Sequence, residues 1–135
     1  MLLVDTNVLV DVLQNDPLWA EWSIGQLRAQ AKLHELAINA VIYAEMSLSF
    51  STMEALDAVV TRMELTVQEI PRPALFLAAK AFARYRRRGG GKAQVLPDFF
   101  IGAHAAVQGW PLLTRDASRF RTYFPSMTVL APGAD

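Results

Sequence analysis

The sequence predicts an α/β fold, a mostly parallel sheet with helices covering both of its faces. Three observations carry that prediction. Short apolar runs without polar alternation, such as Leu2-Leu3-Val4 and Leu36-Ala37-Ile38, have the pattern of strands buried on both faces. Segments of helical period or alanine-rich composition separate those runs, and cap or turn residues stand at the junctions. Strands alternating with helices call for right-handed crossovers, which place helices on both sides of a parallel sheet.

The elements follow in order. Leu2–Val4 is the first strand, and Asp5-Thr6-Asn7 is a turn and N-cap sequence before a helix that begins with Val8-Leu9-Val10. Pro17 opens a second helical stretch with Leu18, Trp22 and Leu27 toward one face. Leu36–Ile38 is the next strand, with Asn39 as cap for a helix over Ala40–Phe50. Ser51-Thr52 followed by Glu54 starts another helix, and the β-branched content of Leu65–Ile70 makes it a strand. Pro73 starts a long alanine-rich helix that ends in Arg86-Arg87-Arg88 and stops at Gly89-Gly90-Gly91. Cations in a last turn before glycine suit both the helix dipole and the C-cap. Pro97 opens a helix to Gly109; Pro111–Thr114 is a strand, Ala117–Tyr123 a short helix, and Thr128–Leu130 the last strand. No repeat, low-complexity tract or interior linker interrupts the chain, so residues 1–135 are expected to form a single domain.

Composition narrows the class. The chain has 135 residues, 53% of them hydrophobic, enough for one core and too apolar for disorder. With no cysteine it has no disulfide, thiolate zinc site or cysteine nucleophile, which fits a reducing compartment. No apolar run approaches a membrane span of about 20 residues, and the acids inside Met1–Leu13 do not suit a signal peptide. The expectation is a soluble, cytoplasmic protein. Its formal net charge is zero, but the charges are divided: residues 1–83 carry ten acids and five bases, residues 84–135 eight bases and three acids. That asymmetry keeps a nucleic-acid partner open where the sum would argue against one.

Four acids stand where chemistry is expected. Ligands of open parallel sheets bind at the carboxyl ends of the strands. Asp5 directly follows the first strand, and Asp116 follows the strand Pro111–Thr114. Asp98 lies in the first turn of its helix, on a face continued by Ile101, Gly102 and Ala105. Glu45 borders the apolar side of its helix, formed with Val41, Ala44 and Leu48. Each has a structural role open to it: Asp5 and Asp116 as N-caps, Asp98 as a complement to the dipole, Glu45 as a half-exposed edge residue. Together at one sheet edge they would repel, and a hard divalent cation relieves that repulsion. Oxygen-only ligands favour Mg²⁺ or Mn²⁺ over zinc, a combination suited to phosphodiester hydrolysis.

Four segments in order then connect the chain to a known family: Leu-Leu-Val-Asp-Thr-Asn-Val-Leu-Val-Asp from Leu2, Asn-Ala-Val-Ile-Tyr-Ala-Glu-Met-Ser from Asn39, Leu-Pro-Asp-Phe-Phe-Ile-Gly-Ala-His-Ala from Leu96, and Leu-Leu-Thr-Arg-Asp-Ala-Ser-Arg-Phe from Leu112. Over essentially its whole length the sequence resembles PIN-domain ribonucleases of the VapC type, the toxins of VapBC toxin–antitoxin pairs. The resemblance implies a three-layer α/β/α, Rossmann-like fold and Mg²⁺- or Mn²⁺-dependent endoribonuclease activity. It further implies neutralisation by a VapB-type antitoxin, and a homodimer held within a larger toxin–antitoxin assembly. It makes Asp5, Glu45, Asp98 and Asp116 the catalytic and metal-binding acids, with Asp5 and Asp98 as direct ligands. Thr6, Asn7 and Thr114 are the residues expected to orient ligands or water around them. Asp11 matches a common pattern of the family but is given no ligand role.

The remaining features fall around this centre. Arg84, Arg86, Arg87, Arg88 and Lys92, with the adjacent glycines, are candidates to grip RNA phosphates beside the acids, and Arg115 is a candidate to touch substrate or antitoxin. Arg119 and Arg121 would extend that basic surface. His34 and His104 lie outside the acidic motifs and are expected to be structural or surface residues. Trp19, Trp22, Met46, Phe50 and Met53 are expected in ordinary packing, with a partner surface as the other reading. Two further functional classes stay open. An aspartate-nucleophile phosphatase would normally carry a second Asp where this chain has Asn7, and a non-catalytic PIN-like interaction module would have no need of four acids.

Overall fold

A computed structural model describes residues 1–133. Its five strands are β1 (Leu2–Val4), β2 (Leu36–Asn39), β3 (Thr66–Gln68), β4 (Leu112–Leu113) and β5 (Val129–Leu130). They form one sheet in the order β3-β2-β1-β4-β5. Every neighbouring pair is parallel: Leu3 sits opposite Ala37 on one side and Leu112 on the other. β1 is therefore central and wholly buried, which is why it tolerates no polar residue. From β1 the chain steps outward through β2 to β3, then crosses back to lay β4 on the opposite side of β1. The β1/β4 boundary is the topological switch point, where the loops leaving the strands diverge and open a crevice at their carboxyl ends. Asp5 leaves β1 and Thr114–Asp116 leave β4 at that crevice.

Among the described residues, seven helices surround the sheet: α1 (Thr6–Leu13), α2 (Ala20–Ala31), α3 (Ala40–Ser47), α4 (Met53–Arg62), α5 (Arg72–Arg87), α6 (Leu96–Gln108) and α7 (Ser118–Tyr123). The predicted caps at Asp5 and Asn39 each accept a backbone N–H of their helix, and Thr52 does the same for α4. Several boundaries differ from the sequence expectation. α2 begins at Ala20 rather than Pro17, because the Asp16 carboxylate takes the N–H groups of Leu18 (2.9 Å) and Trp19 (3.0 Å) in a turn of its own. Leu18 is consequently exposed rather than packed. α3 ends at Ser47, since Leu48, Ser49 and Phe50 donate to carbonyls three residues back, a tightened last turn. β3 is three residues instead of six, because it pairs only with β2 and β2 offers a short edge. α5 and α6 each start one residue before the proline, and a 3-10 turn over Ala93–Val95 precedes α6. β4 and β5 are two residues each, although Leu112 N–H to Thr128 O and Thr114 N–H to Leu130 O extend the pairing. Asp135, counted above among the acids, lies outside the described residues.

Small residues let the second half close tightly. Ala74, Ala78 and Ala81 form the buried stripe of α5, which packs against α6. Gly102 of α6 has no room for a side chain: a Cβ there would lie 2.5 Å from the Phe124 ring and 3.0 Å from that of Phe120. α7 is thus pressed onto α6, with Phe120 buried at the joint. Gly89 ends the α5 region with φ +89, a conformation that favours glycine. Among the described residues, no helix is long and apolar enough to cross a membrane.

Candidate active site at the sheet switch point

Asp5 is the deepest of the four candidate site acids, only 5% exposed. As the extended cap of α1 it accepts the Thr6 N–H at 2.7 Å, and its other oxygen accepts the Thr114 hydroxyl at 2.7 Å. Burial pushes its carboxyl up to about 7, and the charges of Asp98 and Glu45 push the same way against those two hydrogen bonds. Glu45 reaches the same rim from α3, accepting the Thr6 hydroxyl at 2.5 Å. The apolar face expected beside it is only partly the buried one: Val41 is half-buried against the core, but Leu48 is 89% exposed and Ala44 is exposed, and Ile42 and Met46 carry the helix into the core. Glu45 therefore borders the crevice, with its helix anchored from the opposite side.

Asp98 projects from the first turn of α6, whose Ile101, Gly102 and Ala105 are all buried. Its carboxyl is raised chiefly by burial and further by Glu45 and Asp116, while the charge and hydrogen bond of Arg119 oppose the shift. The Asp98–Arg119 contact is one N–H···O link of 2.6 Å. Asp116 is the exposed member, on the loop between β4 and α7. The four predicted acids thus lie within electrostatic reach at one edge of the sheet, linked through Asp5 and Asp98.

The three predicted orienting residues interlock. Thr114 donates to Asp5, and its hydroxyl oxygen accepts the Asp116 N–H (3.2 Å) and the Asn7 amide (3.4 Å). The Asn7 carbonyl in turn accepts the Arg115 N–H at 3.1 Å. One hydrogen-bonded web therefore ties the start of α1 to the loop after β4.

The donor set suits a hard divalent cation. Its groups are carboxylates and hydroxyls, and the burial and mutual repulsion that raise Asp5 and Asp98 are what a cation would relieve. Among the described residues, no three carboxylate or imidazole groups are already drawn into one ligand shell. One reason is visible: Asp98 is turned onto Arg119 and Glu45 onto Thr6.

The arginines divide into two kinds. Arg84, Arg86, Arg87 and Arg88 end α5 exposed, and Lys92 follows them. Arg84, Arg87 and Arg88 line an open pocket of about 560 Å³ with Thr122, Tyr123 and Pro125, and the guanidinium groups of Arg84 and Arg88 each lie 5.8 Å from the Tyr123 ring centre. Arg115, the candidate to touch substrate or antitoxin, is committed within the chain although about a third of its side chain stays exposed: it grips both oxygens of buried Asp11 at 2.9 Å and lies over Trp19. Ser23 donates to the same Asp11 carboxylate at 2.9 Å.

Sequence reasoning left Asp11 without a role and gave Arg119 only a place on the basic surface, not its contact with Asp98. Asn7 and Asp11 are four residues apart on α1, one face holding the backbone and the side chain of Arg115 respectively. Arg119 stands three residues after Asp116, the spacing that would return it to the acidic side. His104 is a buried structural residue, its Nδ1 3.1 Å from the Asn39 amide nitrogen; desolvation lowers its pKa and keeps the ring neutral. His34 is half-buried. Met46 is core and Met53 exposed, so the five apolar residues singled out in the sequence do not form one continuous face.

The model of the PIN domain family matches residues 2–124. Among solved structures, the chain is similar to VapBC2 from Rickettsia felis bound to a DNA fragment from its promoter, at 16% identity and TM-score 0.72 over 96% of both chains. It is similar to DNA-bound VapBC from Salmonella typhimurium, at 21% identity and TM-score 0.70 over 97% of this chain and 98% of that one. FitAcB from Neisseria gonorrhoeae matches at 20% identity and TM-score 0.68 over the full length of both chains. No curated protein matches the sequence.

Proposed function

The chain belongs to the PIN domain family, and from that premise we propose that it is a metal-dependent endoribonuclease, the toxin of a VapBC-type toxin–antitoxin pair. In this reading residues 1–135 are one catalytic domain acting in the cytoplasm as a homodimer, restrained by a VapB-type antitoxin. The similarity to VapBC2 of Rickettsia felis and VapBC of Salmonella typhimurium supports the toxin–antitoxin context. The observation that carries the chemistry is Asp5, buried at the switch point and raised to about 7 with Glu45 and Asp98 in electrostatic reach.

Asp5, Glu45, Asp98 and Asp116 would hold Mg²⁺ or Mn²⁺. When bound, the cation supplies Lewis acidity and charge neutralisation for attack of water on a phosphodiester. The rest belongs to the chain. Thr114 and the Thr6 N–H hold Asp5 in one orientation, and the Thr6 hydroxyl holds Glu45. A carboxylate of the set accepts the proton of the attacking water. Arg84, Arg86, Arg87, Arg88 and Lys92 supply the cationic surface for the RNA backbone, whereas Arg115 serves by holding the loop that carries Asp116. The aspartate-nucleophile reading loses ground at Asn7, whose amide is committed to Thr114 and Arg115 and takes the place of a general acid.

Purified chain free of antitoxin should cleave structured RNA with Mg²⁺ or Mn²⁺ and stop on addition of EDTA. Asp5→Asn and Asp98→Asn should each abolish cleavage while the circular dichroism spectrum is kept. Full activity in both variants would overturn the site.

A further inference from the structure

Around the crevice, Asp5 and Glu45 are met by hydroxyl groups, whereas Asp98 is met by a cation. Arg119 meets Asp98 through its side chain alone. Its helix is held by Phe120 and Phe124, which pack where Gly102 leaves no space for a Cβ. The contact itself is a single Nη1–Oδ2 link, with the Arg119 side chain 29% and that of Asp98 31% exposed. A guanidinium at 2.6 Å occupies an oxygen that a metal ligand must present, and two cations on one carboxylate repel. The structure also provides a support for the guanidinium other than Asp98: it lies 5.9 Å from the centre of the Tyr85 ring. Tyr85 packs edge-on against Tyr123, whose ring is flanked by Arg84 and Arg88. An arginine–aromatic track therefore runs from Asp98 to the basic pocket at the end of α5.

We propose that Arg119 is the resident counter-cation of the acidic crevice, displaced from Asp98 by the divalent metal and thereby freed to take an RNA phosphate at the crevice mouth. The proposal rests on the metal-dependent nuclease reading above. It gives the site two states: one closed by the chain's own guanidinium, the other held by metal with the guanidinium offered to substrate. Arg119 is thus a positioning residue toward the metal and a binding residue toward the RNA.

The test measures Mn²⁺ binding to the purified full-length chain by the electron paramagnetic resonance of the free ion. Removing a half-exposed ion pair that competes with the metal should tighten Mn²⁺ about fivefold in Arg119→Gln, and Arg119→Lys, which keeps the charge, should stay near wild type. With saturating Mn²⁺, Arg119→Gln should raise KM for RNA more than it lowers kcat. A measurement on the unaltered protein makes the result independent of how the variants fold. On titration with Mg²⁺, the ¹⁵Nε resonance of Arg119 should move while that of Arg115 stays in place. Equal or weaker Mn²⁺ binding by Arg119→Gln, or an Arg119 resonance indifferent to Mg²⁺ that does bind, overturns this proposal alone. Wild-type protein that binds no Mn²⁺ overturns the metal-site reading and this proposal with it.

Discussion

Two aspartate–arginine pairs flank the same loop, and they are built differently. Asp11 and Arg115 meet through two links of 2.9 Å, with Asp11 only 2% exposed, Ser23 adding a third hydrogen bond and Trp19 covering the guanidinium. Asp98 and Arg119 meet through one link, each about a third exposed, on the side facing other acids. Both guanidinium groups are about a third exposed, so the difference lies in the carboxylates: a bidentate grip on buried Asp11 cannot be released without stranding its charge, whereas a single link to half-exposed Asp98 can exchange its cation at small cost. The difference teaches where rigidity is needed. The first pair fixes the loop between β4 and α7 to α1, and the second leaves the crevice able to change partners.

The contrast can be broken most directly at the first pair. Arg115→Ala leaves Asp11 buried with Ser23 alone, and should cost about 3 kcal/mol of stability in urea denaturation. A loss under 1 kcal/mol would mean that the pair is no clamp. Next in size is the pH response of the crevice. Asp5 rises from its ordinary 3.8 to about 7 in the folded chain, so the folded state holds a proton that the unfolded state has released. Its contribution to stability is therefore complete below about pH 4 and is lost as pH rises through about 7. Asp5→Asn should flatten that fall and be more stable than wild type at pH 8 by about 2 kcal/mol. An unaltered pH–stability curve in the variant would place the strain elsewhere.

Metal should act on the same strain from outside. At Mg²⁺ tenfold above its Kd, stabilisation of about 1.4 kcal/mol is expected, read as a rise in Tm that EDTA reverses and Asp98→Asn lacks. The smallest effect belongs to the second pair: Arg119→Ala without metal should change stability by less than about 1 kcal/mol. Equal costs for Arg115→Ala and Arg119→Ala would erase the distinction between clamp and latch.

Much of this was legible before any coordinate. Buried strands of a parallel sheet must be apolar throughout, so Leu2–Val4 and Leu36–Ile38 declared themselves. Asp5 and Asn39 were readable as caps because orphan N–H groups at a helix start demand an acceptor of that kind. The ends of α2 and α3 were not, since a competing Asp16 turn and a tightened last turn lie within the tolerance of local patterns. The rotation of the Glu45 helix was legible only in part: Val41 does pack against the core, but Ala44 and Leu48 are exposed, and packing of Ile42 and Met46 decides the rotation.

By itself the sequence determined the fold class, the order of elements and the positions of four acids relative to strand and helix ends, because all of these follow from local periodicity and capping. Only the tertiary structure decided which cation meets which carboxylate. Arg115 and Arg119 are four residues apart and alike in sequence, yet one is drawn to Asp11, 104 residues away in the chain, and the other to Asp98, 21 residues away. Charge carries no address along the chain. Burial, set by where α1, α6 and α7 pack, makes one pair a fixed joint and leaves the other open to exchange.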